Sequence, residues 1–212
     1  MFAITADQVD SRHRPDIAAE TMRSLDATLG DGLVLPVDRT AGDEIQLLVA
    51  ASDTALAAIL ALTRHGQWSV GCGIGSVYLP LPANAREAGG DAFIAARDAV
   101  NEAKKRDTRF ALRSTVTMAT PAADAEAFVD LLLQLRARRS AEGWEMCDLL
   151  LAGNSQAEAA KLLGISPQAA SKRARTAALR VEFAARSPLE RRLTAVDVSA
   201  GVSASAGEGS RS

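Results

Sequence analysis

The periodicity of apolar residues changes once along this 212-residue chain, near Thr120, and that change restricts the fold to a mixed domain followed by a helical one. Upstream, apolar runs at 2–6, 33–37, 44–50, 68–79 and 110–118 read as strands. Helical spacing at 17–29, 55–62 and 91–105 separates them, with Ser52 or Asp53 placed to cap the second helix. Gly30-Asp31-Gly32 and Gly89-Gly90 break the pattern, and residues 38–43 have the size and composition of a hairpin loop. The order β-α-β-β-α-β-α-β predicts an α+β fold, an α/β sandwich with helices on one face of a largely antiparallel sheet.

Downstream of Thr120 no strand pattern appears. Helices are predicted over 122–140, 142–152, 156–163 and 167–185. Phe128, Leu131, Leu132 and Leu135 are expected on one face of the first, as core or as the seam of a homodimer. The boundaries that follow are an α/β domain over 1–119, a connecting helix over 120–141, a helical domain over 142–194 and a flexible Ser/Gly/Ala/Val tail over 195–212.

Aromatic residues are only 4% of the chain, so the core is expected from Ala, Leu, Val and Ile. No apolar run reaches the roughly 18–20 residues of a bilayer span, and the first residues lack the pattern of a signal peptide. With Cys72 and Cys147 far apart, this predicts a cytoplasmic protein with buried, free thiols and no membrane partner. His13 and His65 lack metal-ligand spacing.

A formal net charge of −2 conceals an uneven distribution. Residues 155–192 hold eight Lys or Arg (161, 172, 173, 175, 180, 186, 191, 192) against acids at 158, 182 and 190. The local excess is five positive charges, leaving an excess of seven negative charges elsewhere. Arg136, Arg138 and Arg139 form a further basic cluster upstream. In the same region Ser155 and Glu158 have capping-box spacing, Gly164 suits a left-handed turn, and Ser166-Pro167 suits the start of a helix. Two short helices across a glycine turn are the layout of a helix-turn-helix, whose second helix enters the major groove of double-stranded DNA. A helical hairpin with a solvated basic face, or a helix-turn-helix that contacts protein, shares this layout.

The pattern Q-x-E-A-A-x-x-L-G-I-S-x-x-A-x-S-K over 156–172 resembles the MarR-like or sigma-region-4-like helix-turn-helix of bacterial regulators. The resemblance implies Gln168, Ser171 and Lys172 as readers of base edges. It implies Ser155, Gln156, Arg173 and Arg175 as backbone contacts.

In the first half, Asp7 ends a strand and Asp43 sits in the hairpin. Adjacent strands would bring both carboxylates to one sheet end, as hard oxygen ligands for Mg²⁺. A solvated hairpin and a strand-ending acid are the plainer alternatives. Gly71, Gly73 and Gly75 leave a bare backbone face open to close approach, without the spacing of a dinucleotide fingerprint. The succession A-I-T-A-D-x-V-D-S-R, A-G-D-E-I-Q-L-L, G-C-G-I-G and G-G-D-A-F-I-A-A-R-D-A-V resembles the SatD family. It is more distantly similar to the palm domain of class III nucleotide cyclases and GGDEF proteins. The resemblance implies a ferredoxin-like palm joined to a C-terminal helix-turn-helix. It also implies metal positions at Asp7 and Asp43 and a phosphate or nucleotide-ligand contact at Arg97. Phe93 stands where the cyclase pattern has Asn, Ala41 where GGDEF has Gly, and Ile45 where it has Phe. These departures point to a ligand-sensing or degenerate palm in a DNA-binding transcriptional regulator. The alternative is a metal-dependent, nucleotidyl cyclase-like enzyme carrying a DNA-binding module.

Overall fold

A computed structural model describes residues 1–40, 42–115 and 120–208, with side chains in the last segment described for 121–200. β1 (Phe2–Gln8), β2 (Leu33–Arg39), β3 (Glu44–Val49), β4 (Trp68–Ile74) and β5 (Phe110–Ser114) form one sheet in the order β2-β3-β1-β4-β5. Neighbours are antiparallel except β4 and β5, which are parallel. The predicted strand at 110–118 stops at Ser114, and its positions 116–118 lie outside the described residues. β1 is central, with Thr5 opposite both Gln46 and Gly71. Gln46 Nε2 donates to Thr5 Oγ1 at 3.1 Å, satisfying two polar groups inside the sheet.

The helices preceding the C-terminal region are α1 (Ala18–Leu29), α2 (Ser52–Leu62), α3 (Asp91–Ala103) and α4 (Thr120–Ala137). α3 rests on β4 at Gly71 and Gly73, where a Cβ would overlap its backbone at Ala92, Ala96 and Val100. The residues pointing the other way, Phe2, Ile4, Ala6, Val70, Cys72 and Ile74, are buried as well. Both faces of the central strands are therefore covered, where helices on a single face were expected. The near-continuous apolar runs of β1 and β4 are the physical signature of strands covered twice. The glycine face expected to stand bare is closed by α3.

α5 (Ala141–Leu151), α6 (Gln156–Leu162), α7 (Pro167–Thr176) and α8 (Leu179–Glu208) complete a mixed α+β chain of eight α-helices among the described residues. Two compact units result: Met1–Asp130 together with the chain from Leu189 on, and Leu131–Pro188. The expected flexible tail is a correction, because α8 is helical through Glu208. Leu189, Leu193, Val196 and Ala200 give it a buried apolar stripe, which a composition of small residues had hidden. Arg192 pairs with Asp124 at 2.6 Å, and the Ser52 and Thr194 hydroxyls lie 2.8 Å apart. The face of α4 also differs: Ala125, Val129, Leu132 and Leu133 are buried, whereas Phe128 and Leu131 are exposed. No described helix is long and apolar enough to cross a membrane.

Candidate functional site

Local sequence sets each end of the short helices in the unit Leu131–Pro188. Ser155 Oγ accepts from the Glu158 amide at 3.2 Å, and the Glu158 carboxylate accepts from the Ser155 amide at 2.7 Å. This reciprocal cap fixes the start of α6. Gly164, at φ +64°, turns the chain in a region that a side chain disfavours. Ser166 Oγ then accepts from the Ala169 amide at 3.2 Å, with Pro167 at the first helical position of α7. Met146, Cys147, Ala159, Ala160, Ala170, Ala177 and Leu179 form the small core under the three helices.

α7 carries three stripes at helical spacing. Ala170, Ala174 and Ala177 face this core. Gln168, Ser171 and Arg175 are exposed and share one outer edge at i, i+3 and i+7. Ala169, Lys172, Arg173 and Thr176 make the third stripe and line a cleft of about 350 Å³ with Arg138, Ser140, Glu142 and Gly143. The predicted DNA contacts on α7 are thus divided between two edges. Ser155 and Gln156 are exposed at the start of α6. Arg173 is half-buried and lies 3.6 Å from Glu145. Among the described residues, Arg138, Lys161, Lys172, Arg175 and Arg180 make no ion pair.

The upstream basic cluster separates in the same way. Arg136 and Arg139 are buried against Glu182, which is itself fully buried. Arg139 Nη2 reaches Glu182 Oε2 at 2.6 Å and the Ala177 carbonyl at 3.0 Å, closing the end of α7. Arg186 reaches Glu182 Oε1 at 2.8 Å, and Arg136 donates to the same oxygen. The Trp144 ring lies under both guanidinium groups, 4.8 Å from Arg136 and 4.4 Å from Arg139. Burial pushes the Glu182 carboxyl up, but Arg136, Arg186 and Arg139 together outweigh it and hold the pKa below the ordinary value. Sequence reasoning missed this centre, since Glu182 lies 46 and 43 residues from its two buried partners. Of the three upstream arginines only Arg138 is exposed.

In the other unit, β1 and the hairpin do meet. Asp7 is in register with Glu44, and the Gln8 amide donates to the Asp43 carbonyl at 3.0 Å. Asp7 and Asp43 therefore lie at one end of the sheet. Lys104 Nζ, however, lies 2.7 Å from Asp7 Oδ2. Arg97 is largely exposed, with Nη2 3.3 Å from Glu44 Oε1, an oxygen that also accepts from Thr40 Oγ1 at 2.6 Å. Phe93, in the place of a polar cyclase residue, is buried against Ala3, Leu35 and Leu48. These residues do not fit Mg²⁺ as they are arranged. An ammonium already neutralises one of the two carboxylates, and a divalent ion would sit against it.

Comparison with protein-family models, curated proteins and solved structures finds no match.

Proposed function

We propose that this protein is a bacterial transcriptional regulator that binds double-stranded DNA through α5, α6 and α7 arranged as a helix-turn-helix. The observation that carries the reading is the set of unpaired cations. Arg138, Lys161, Lys172, Arg175 and Arg180 belong to one small unit and make no ion pair among the described residues. In the other unit unpaired cations are a smaller share: Arg39, Arg97, Lys104, Arg106 and Arg113 each meet a carboxylate, whereas Arg12, Arg14, Arg23 and Arg109 make no ion pair among the described residues. Cations left unpaired on one helical unit suit a polyanionic partner and a salt-dependent affinity. The capped α6, the Gly164 turn and the capped α7 supply the local geometry that such a motif requires.

The N-terminal unit fits the accompanying role of a palm-like domain that senses a ligand or holds two chains together. The antiparallel run β2-β3-β1-β4 agrees with the ferredoxin-like frame that the SatD resemblance implies. Regulation then works by population shift, a ligand favouring the conformation that binds the operator better or worse. Lys104 on Asp7 and Phe93 in the core weigh against the nucleotide-enzyme alternative, so the proposed mechanism contains no metal step.

Gel-shift titration at several salt concentrations tests the reading. The double variant Lys172→Ala/Arg175→Ala is expected to bind duplex DNA more weakly, with a shallower dependence on salt. Unchanged affinity and unchanged slope would overturn it.

A further inference from the structure

The two outer edges of α7 differ in what stands beside them. Gln168, Ser171 and Arg175 are exposed and do not line the cleft. Lys172 and Arg173 instead turn toward the start of α5, where Arg138 and Ser140 close the opposite wall. Three cationic side chains from two separate segments thus converge on one recess. Lys172 and Arg138 are free of ion pairs among the described residues, and Arg173 is only loosely engaged, 3.6 Å from Glu145. Glu142 is the one carboxylate in the lining. The lining therefore has three cations against one carboxylate, with Glu145, outside it, partly offsetting Arg173. At about 350 Å³ the recess has room for a tetrahedral anion.

We infer that the cleft between α5 and α7 seats a backbone phosphodiester of the bound duplex, held by Arg138, Lys172 and Arg173. Sequence reading then belongs to the other edge, to Gln168, Ser171 and Arg175. This rests on the DNA-binding reading above and redistributes its roles: Lys172 becomes a backbone contact, Arg175 a base reader, and Arg138 joins the interface. The chemistry agrees with the placement. A lysine ammonium binds phosphate as a point charge from any direction, and a cleft with two arginines beside it restrains where that phosphate sits. An arginine on an open helix edge can present its planar fork to guanine O6 and N7.

Selection from a random-sequence duplex pool with the full-length protein supplies a preferred duplex, and binding is then compared with a scrambled one. Arg138→Ala and Lys172→Ala are expected to enrich the same motif as wild type. Each should lose affinity about three- to tenfold on both duplexes and lower the salt slope by about 1. Arg138→Lys should retain most of the slope. Arg175→Ala should lose more on the preferred duplex than on the scrambled one and relax the motif at one position. Glu142→Gln should tighten both duplexes, a gain that misfolding cannot produce. A changed motif for Lys172→Ala, or an Arg138→Ala variant with wild-type affinity and slope, overturns the phosphate seat while leaving DNA binding intact. A wild-type protein that binds no duplex at low salt overturns both.

Discussion

Glu182 is the residue on which the helical unit turns. Its carboxylate is fully buried and faces three guanidinium groups, two of which stack on one indole. Breaking such a centre leaves buried cations without compensation, which costs about 3–5 kcal/mol. Glu182→Gln should lower stability by that order in urea denaturation of the full chain. The pH dependence has a definite sign. A carboxyl held below its ordinary value near 4.5 contributes its full stabilisation above that pH and loses it as the pH falls toward the lower, folded value. Wild type should therefore weaken on acidification below about pH 4.5, and Glu182→Gln should show a flatter acid limb. An identical acid limb in both proteins would argue that the carboxylate is not the titrating group. At this scale the local signals were legible: the Ser155–Glu158 cap, the Gly164 turn and the Ser166 cap each depend on residues within a few positions. Arg136 and Arg139 read in the sequence only as part of a basic cluster with Arg138, because their partner comes from a helix that begins some forty residues later.

At the scale of elements, the pairing of α3 with β4 is the tightest contact in the larger unit. Gly71 and Gly73 let the α3 backbone lie directly on the strand, and Ala92, Ala96 and Val100 complete the contact from the helix. Gly73→Ala should cost about 1–3 kcal/mol, toward the upper end because backbone rather than a flexible side chain must yield. A urea midpoint equal to wild type would mean that α3 does not rest there, and would restore the reading of a bare face open to a ligand. Element type was legible wherever a period ran over a full helix or strand. Facing was not. In α4 the segment 128–135 is largely apolar, so one helical stripe through Phe128, Leu131, Leu132 and Leu135 reads as well as another through Ala125, Val129, Leu132 and Leu133, Leu132 being common to both. Only the neighbouring elements decide, and they choose the second. Helix α8 shows the converse. Its Ser, Ala and Val residues lack a strong local signal, and its stripe acquires meaning through packing.

For the molecule as a whole, two compact units divide the charge and share the cysteines. Cys72 lies in the sheet and Cys147 under the helical unit, both buried and free. Burial pushes the Cys72 thiol up to about 12 and raises Cys147 as well. Native protein at pH 8 should react with a thiol reagent only slowly at either position, and both should react promptly in urea. Fast labelling of the native chain would contradict the burial of the thiol that reacts. The division into units was legible from periodicity and charge, but its boundaries were not. The larger unit takes back the chain from Leu189 on, because the stripe of α8 packs there, a return that no local signal in the sequence announces.

The two tryptophans are divided just as the thiols are. Trp68 is enclosed in β4, and Trp144 lies beneath two guanidinium groups in the helical unit. Each unit thus contains its own tryptophan, one buried in the sheet and one beneath guanidinium groups. Under tryptophan-selective excitation a Trp68→Phe protein would emit from the helical unit alone, with Trp144 on the α5 that forms one wall of the cleft. The chain has its own optical reporter for following events on α5 and α7 apart from those in the sheet.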